Sequence, residues 1–141
     1  MRILVTGGLG FIGSNFIHEA INKHGCKILN YDKITYSANR ENLDGINNSK
    51  KYEFIKGDIN DKDLFYNTIV NFHPDILINF AAESHVDRSI DSAEDFIDTN
   101  ILGTINLLDC CLDYWKTNKV DNFKFIHIST DEVYGALGDK G

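Results

Sequence analysis

The segment Arg2-Ile3-Leu4-Val5-Thr6-Gly7-Gly8-Leu9-Gly10-Phe11-Ile12-Gly13 sets the architecture of this chain. A short apolar, β-branched run stops at glycines, and a helical pattern follows from Phe11. That succession reads as strand, tight turn and helix. Gly8, Gly10 and Gly13 have the spacing G-x-G-x-x-G, and Thr6-Gly7 with Gly10 and Gly13 has the spacing T-G-x-x-G-x-x-G. Both ask the same of glycine: a left-handed turn, close approach of backbone to a ligand, and close packing of helix on strand. The free N–H groups and positive end of the helix then face a pyrophosphate.

Working outward, the helix is expected from about Phe11 to His24, with Gly25 as its C-terminal cap. A second strand, Cys26 to Tyr31, ends at Asp32, nineteen residues after Gly13. A dinucleotide-binding fold places there the acid that holds the adenosine ribose hydroxyls. A carboxylate at that point repels a 2′-phosphate, so the expected cofactor is NAD rather than NADP. The rival phosphate loop, G-x-x-x-x-G-K-[ST], fits Gly8 to Gly13 but needs Lys where Ser14 stands, and fails.

With 141 residues the chain has the size of one domain, large enough for a core but short for a complete dinucleotide enzyme. Its net charge of −7 argues against a nucleic-acid or anionic-membrane partner. No stretch approaches the length of a membrane span, and residues 1–5 are too short for a secretory core, so the cytoplasm is the expected compartment. Cys26, Cys110 and Cys111 are odd in number, two are adjacent, and none forms a C-x-x-C pair. They are expected as buried free thiols, with neither a disulfide framework nor a metal site.

Along the chain, Lys33 to Leu43 is a connecting loop with at most one helical turn. Lys51 to Lys56 makes a third strand, closed by Gly57-Asp58-Ile59. Asn60 is expected to cap a helix running to about Asn71, with Asp63 in its first turn. Pro74 precedes a fourth strand, Ile76 to Phe80. Ser92, with Asp95 three residues on, starts the longest helix, to about Trp115. Its Ile97, Ile101, Ile105, Leu108, Leu112 and Trp115 recur at three- and four-residue steps and read as the core-facing side. A fifth strand, Phe123 to Ile128, leads into Ser129-Thr130-Asp131-Glu132-Val133-Tyr134-Gly135.

Strands alternating with helices predict right-handed βαβ units, hence an α/β, doubly wound parallel sheet (a Rossmann fold) of order 3-2-1-4-5, interrupted after the fifth strand. Ligands of such sheets bind beyond the carboxyl ends of the strands, between strands 1 and 4. Thr6 to Gly13, Asp32 to Thr35, Asp58-Ile59, Ala81 to Ser89 and Ser129 to Glu132 all fall there. Two of these loops carry reactive groups. Ala81-Ala82-Glu83-Ser84-His85-Val86-Asp87-Arg88-Ser89 has small residues able to pass under a flat ring and polar ones able to reach a sugar or phosphate. The adjacent carboxylates Asp131 and Glu132 suit an acid and base pair, because repulsion and burial separate their pKa values. Neighbours on a regular strand point to opposite faces, so both reach one substrate only if the chain bends here. His18, His24 and His73 read as surface or packing residues, His127 as a core or cofactor-side residue, and His85 as a candidate beside the substrate.

These three motifs together, Thr6 to Gly13, Ala81 to Ser89 and Ser129 to Gly135, resemble the dTDP-glucose 4,6-dehydratases, extended short-chain dehydrogenases/reductases acting on nucleotide sugars. The resemblance covers all 141 residues. Related epimerases share the glycine motif but generally lack the other two. Leu9 stands where the family more often has Ala, which would crowd the turn slightly. The resemblance implies that Phe11 and Ile12 hold the pyrophosphate beside Gly7, Gly10 and Gly13. It implies further that Asp32, Lys33, Ile34 and Thr35 hold the adenosine ribose, Asp58 and Ile59 the adenine, and Phe80, Ala81, Ala82, Glu83, Ser84 and Thr99 the rest of the NAD. Ser84 and Thr130 would contact the hexose of dTDP-glucose. Asp131 as acid and Glu132 as base would eliminate water across C5 and C6 of a C4-oxidised sugar. It implies also a homodimer built on the long helix.

The family pairs this chemistry with Tyr-x-x-x-Lys on a later helix. The one such spacing here, Tyr52 to Lys56, lies in a strand-like segment, where the two residues stand roughly 13 Å apart rather than about 6 Å. Tyr134 has Gly138 at the lysine position. The expectation is therefore that residues 1–141 are an incomplete NAD-binding domain, the amino-terminal part of such an enzyme and inactive alone. The alternatives are a non-catalytic NAD- or nucleotide-sugar-binding module, and an epimerase relative.

Overall fold

The computed structural model describes residues 1–85, 92–135 and 138, with Glu132 by its backbone alone. Its sheet contains strands β1 (Arg2–Thr6), β2 (Lys27–Asp32), β3 (Tyr52–Lys56), β4 (Ile76–Asn79) and β5 (Lys124–His127) in the order β3-β2-β1-β4-β5. Every pairing is parallel, as βαβ connections require. The central strands β1 and β2 are almost wholly buried, which their unbroken apolar runs dictate.

Helix α1 (Phe11–Asn22) covers one face of the sheet, where Ile3, Val5, Ile28 and Ile78 pack on Leu9, Ile17, Ala20 and Ile21. Leu9 is thus a core residue. Gly25, at φ +64°, returns its N–H to the Ile21 carbonyl and closes α1, three residues after the helix ends. On the other face Leu4, Leu29, Tyr31 and Leu77 pack on α2 (Lys62–Phe72) and on the last long helix. The connection after β2 contains a single 3₁₀ turn, Arg40–Leu43.

Two sequence expectations are corrected. The cap of α2 is Asp61, whose side chain accepts the Leu64 N–H at 3.0 Å, not Asn60. Asn60 instead donates its side-chain amide to the Asp98 carbonyl. Both residues suit an N-cap, and only the backbone path selects between them. The second correction concerns the long helix. It is one helical run made of α3 (Ala93–Phe96), a π-helical stretch (Ile97–Gly103) and α4 (Thr104–Asn118). Its buried residues are Thr99, Gly103, Leu107, Cys110, Cys111 and Tyr114. The stripe Ile97, Ile101, Ile105, Leu108, Leu112 and Trp115 is instead 45% to 53% exposed. The periodicity correctly signals an apolar face, but the sheet takes the neighbouring face of smaller residues, leaving the larger one outward.

The three cysteines are buried and free. Among the described residues no helix is long and apolar enough to cross a membrane, and no group of His, Cys, Asp or Glu is arranged to hold a metal.

Candidate functional site

The carboxyl ends of the strands enclose a cleft of about 1070 Å³ at the switch between β1 and β4. Its floor is the glycine turn. Gly7 has φ +69°, and a Cβ there would meet the backbone of Ala81 at 2.6 Å, so the turn is pressed directly on the β4 exit. A Cβ on Gly13 would lie 2.6 Å from the Gly7 carbonyl oxygen, so the turn and the first turn of α1 also touch. A Cβ on Gly8 would run into the Asn30 and Ile17 side chains, whereas at Gly10 the nearest atom is 3.4 Å away, so the close packing falls on Gly7, Gly8 and Gly13. No side chain caps α1, and its first turn holds no acidic residue. Its N–H donors and positive end are left facing the cleft, which Phe11, Ile12 and Gly13 line.

Asp32 is buried at the end of β2. Oδ2 accepts the Leu9 N–H at 3.0 Å and Oδ1 accepts the Ile34 N–H at 2.8 Å. The carboxylate thus ties the glycine turn to the β2 exit while lining the cleft. Ile34, β-branched and at φ +62°, is strained, and its N–H bond to Asp32 helps hold it there. Its side chain packs on the α1-side core. Beyond it, Lys33 Nζ lies 3.5 Å from Asp58 Oδ2 and 3.4 Å from Thr99 Oγ1. Tyr31 donates its hydroxyl to the Asp58 carbonyl. Burial first, then the Asp61 and Asp58 carboxylates, raise the Tyr31 phenol well above its ordinary pKa and keep it a donor.

The β4 exit, Phe80 to Ser84, lines the opposite wall together with Thr99. Asn100 holds it with two bonds: Oδ1 accepts the Glu83 N–H at 2.9 Å and Nδ2 donates to the Glu83 carbonyl at 2.8 Å. Tyr36, from the β2 side, donates its hydroxyl to Glu83 Oε2 at 2.9 Å and meets the edge of the His85 ring. Val86, Asp87, Arg88 and Ser89 of the sequence motif lie outside the described residues.

After His127 the chain leaves the sheet through Ile128, Ser129 and Thr130, which line the cleft, and turns into a 3₁₀ helix, Asp131–Tyr134. The bend that Asp131 and Glu132 need is therefore present, since consecutive residues of a 3₁₀ turn no longer alternate between faces. Asp131 is exposed, with Thr130 Oγ1 3.5 Å from its Oδ1. Tyr52 and Lys56 lie at the two ends of β3, as the spacing argument expects. Thr35 and Ile59 line the cleft; Asp58 and Ile34 are not among its lining residues. Sequence reading passed over Tyr36, Asn100 and Thr104 as lining residues. None belongs to a motif, and only the packing of the π-helical stretch against the β4 exit brings Asn100 into place.

A doubly wound parallel sheet with its cleft at the switch point and a T-G-x-x-G-x-x-G turn as floor defines a Rossmann-type α/β protein. Comparison with known proteins makes this more specific. Residues 4–141 match the family described as GDP-mannose 4,6 dehydratase, and the chain belongs to that family. A dTDP-glucose 4,6-dehydratase of Xanthomonas campestris pv. campestris is 48% identical over 98% of this chain and 40% of its own length. Two solved dTDP-glucose 4,6-dehydratases superpose closely. The one from Bacillus anthracis, in complex with NAD, has TM-score 0.80 and 42% identity over 100% of this chain and 41% of its own. The one from Streptomyces venezuelae, also with NAD bound, has TM-score 0.87 and 39% identity over 99% and 42%. The chain thus spans about 40% of the length of the relatives it matches.

Proposed function

We propose that residues 1–141 form the NAD-binding domain of a cytoplasmic dTDP-glucose 4,6-dehydratase. The observation that carries this reading is that the glycine turn, buried Asp32 and Thr130, which leads into the Asp131–Tyr134 turn, line one cleft. The residues fit the cofactor: Gly10 lines the cleft without a side chain, the α1 terminus beside it is uncapped, and the buried Asp32 carboxylate lines the same cleft. Phe11 and Ile12 would hold the pyrophosphate through backbone N–H groups. Asp32, Lys33, Ile34 and Thr35 would hold the adenosine ribose, Asp58 and Ile59 the adenine, and Phe80 to Ser84 with Thr99 the remainder.

NAD when bound supplies the hydride acceptor and donor for oxidation at C4 and reduction at C6 of the hexose. The chain supplies the groups for the elimination. Ser84 and Thr130 orient the sugar, Glu132 removes the C5 proton acidified by the C4 carbonyl, and Asp131 protonates the departing C6 hydroxyl. Glu132 then returns its proton to C5 as C6 is reduced, which gives the 4-keto-6-deoxy sugar. Deprotonating the C4 hydroxyl calls for a Tyr-x-x-x-Lys pair, which these 141 residues lack on any helix. The outward stripe from Ile97 to Trp115 supports homodimer formation through α4, since an apolar face of this extent is seldom left to water.

NAD titration by calorimetry tests the reading, with Asp32→Ala as control. Binding that disappears in the variant is expected. A folded chain that takes up no NAD refutes the assignment of these residues as a binding domain. The chain alone is expected to release no 4-keto-6-deoxy sugar from dTDP-glucose.

A further inference from the structure

At the carboxyl end of the sheet, three register neighbours on adjacent strands form a polar row: Thr6 on β1, Asn79 on β4 and His127 on β5. Thr6 and Asn79 are fully buried, on the face otherwise filled by Leu4 and Leu77. Thr6 Oγ1 donates to Asn79 Oδ1, and Asn79 Nδ2 lies 3.0 Å from His127 Nδ1. Imidazole nitrogens are interchangeable as donor and acceptor until a neighbour settles which carries the proton. Here the neighbour is itself settled. Asn79 Oδ1 also receives the backbone N–H of Ala81 at 3.1 Å, and a peptide N–H can only donate. The atom facing Ala81 must therefore be oxygen, the atom facing His127 must be the NH₂ group, and His127 Nδ1 must be the unprotonated acceptor.

We infer that His127 is a positioning residue locked in its Nε2–H form, offering a neutral hydrogen-bond donor to the ligand in the β4–β5 half of the cleft. The inference about the ligand rests on the proposed function. His127 lines the cleft next to Ile128, Ser129 and Thr130, and Asn79 immediately precedes the Phe80 to Ser84 wall. The ring is braced in parallel alignment with Phe125, two residues back on the same face of β5 (interplanar angle 6°). With Nδ1 occupied, its one remaining polar group is the N–H on Nε2, which suits an oxygen acceptor on the sugar or on the nicotinamide half of the cofactor. The polarity runs in one direction, from the Thr6 hydroxyl and Ala81 N–H through Asn79 to His127. The β4 exit and the histidine proton are thereby set by the same amide.

Nitrogen-15 NMR of histidine-labelled chain reads the proton position directly. His127 is expected to show an acceptor-type Nδ1 and a protonated Nε2. Asn79→Asp, whose carboxylate only accepts, should move the proton to Nδ1. Thr6→Val, which leaves the Ala81 N–H on Oδ1, should not. An Nδ1–H form in the unaltered chain, or an unchanged form in Asn79→Asp that remains folded, overturns the lock. Should Asn79→Asp fail to fold, Asn79→Ala serves: mixed tautomers are expected, and a persistent Nε2–H form overturns the role of Asn79. Saturating NAD and dTDP-glucose, added separately and together, should shift the Nε2–H resonance. Ligand bound by calorimetry with that resonance unmoved overturns the contact. No binding of either ligand refutes the functional reading and leaves the tautomer assignment standing.

Discussion

Replacing Gly7 by alanine separates two costs that the structure assigns to one position. The first is conformational. Gly7 sits at φ +69°, where an L side chain loses roughly 1–2 kcal/mol. The second is steric. The new methyl would lie 2.6 Å from Ala81 N, 2.7 Å from Ala81 Cα and 2.8 Å from the Phe80 carbonyl carbon. All three are backbone atoms of the β4 exit, so relief requires moving a strand end rather than rotating a side chain, an overpacking cost of about 1–3 kcal/mol. The sum for Gly7→Ala is about 2–5 kcal/mol. Gly45 provides the control, because it has φ +82° and nothing within 4 Å of its virtual Cβ. Gly45→Ala should lose only the conformational part, about 1–2 kcal/mol. At roughly 4 °C per kcal/mol for a chain of this size, the melting temperatures should fall by about 8–20 °C and 4–8 °C. Urea unfolding of both variants with a common slope gives the difference, and NAD titration of Gly7→Ala, while it is still folded, should show binding lost. Losses equal within about 0.5 kcal/mol would refute the claim that the glycine turn and the β4 exit are in direct contact.

Asp32→Asn leaves one oxygen for two buried backbone donors, Leu9 and Ile34 N–H, and should cost about 1–3 kcal/mol in urea unfolding; a variant as stable as the parent would mean that the carboxylate does not tie the two loops together. Ile105→Glu on the exposed stripe should change unfolding free energy by no more than about 0.5 kcal/mol yet convert an associating chain to monomer in sedimentation velocity, and a parent that is already monomeric would count against the dimer. Burial pushes the Cys110 thiol up to about 11 and the Cys111 thiol up to about 12. Both pKa values lie above the unfolded value of about 8.5, so the unfolded chain loses these protons first. Their contribution to stability is intact below about pH 8.5 and lost as pH rises toward 11–12. Urea midpoints should drop between pH 8 and pH 10.5, less steeply in Cys111→Ser, and an equal slope in that variant would refute burial of the thiol.

Local chemistry made the strand order and the cleft readable in advance. Short apolar runs alternating with helical patterns admit few parallel topologies, and the glycines of the first turn have no other residue type that tolerates both the φ of Gly7 and the contact at Gly13. Asp32 was legible for the same reason, since it lies at a fixed distance along the chain from the glycine turn. What remained for the tertiary structure were matters of facing and partnership. The long helix carries two apolar faces, and sequence periodicity pointed to the larger one. The fold buries the one with Cys110, Cys111 and Tyr114, because these share one core with Phe65, Ile69 and Phe72 of α2 and with Leu77 of the sheet. Asn100 likewise came to the cleft only through a neighbour distant in sequence, the Glu83 backbone, and His127, read from the sequence as a core or cofactor-side residue, gained its partner only through the Asn79 amide. A side chain's identity is written in the chain, but the direction of its hydrogen bonds is decided by which backbone groups the fold brings beside it.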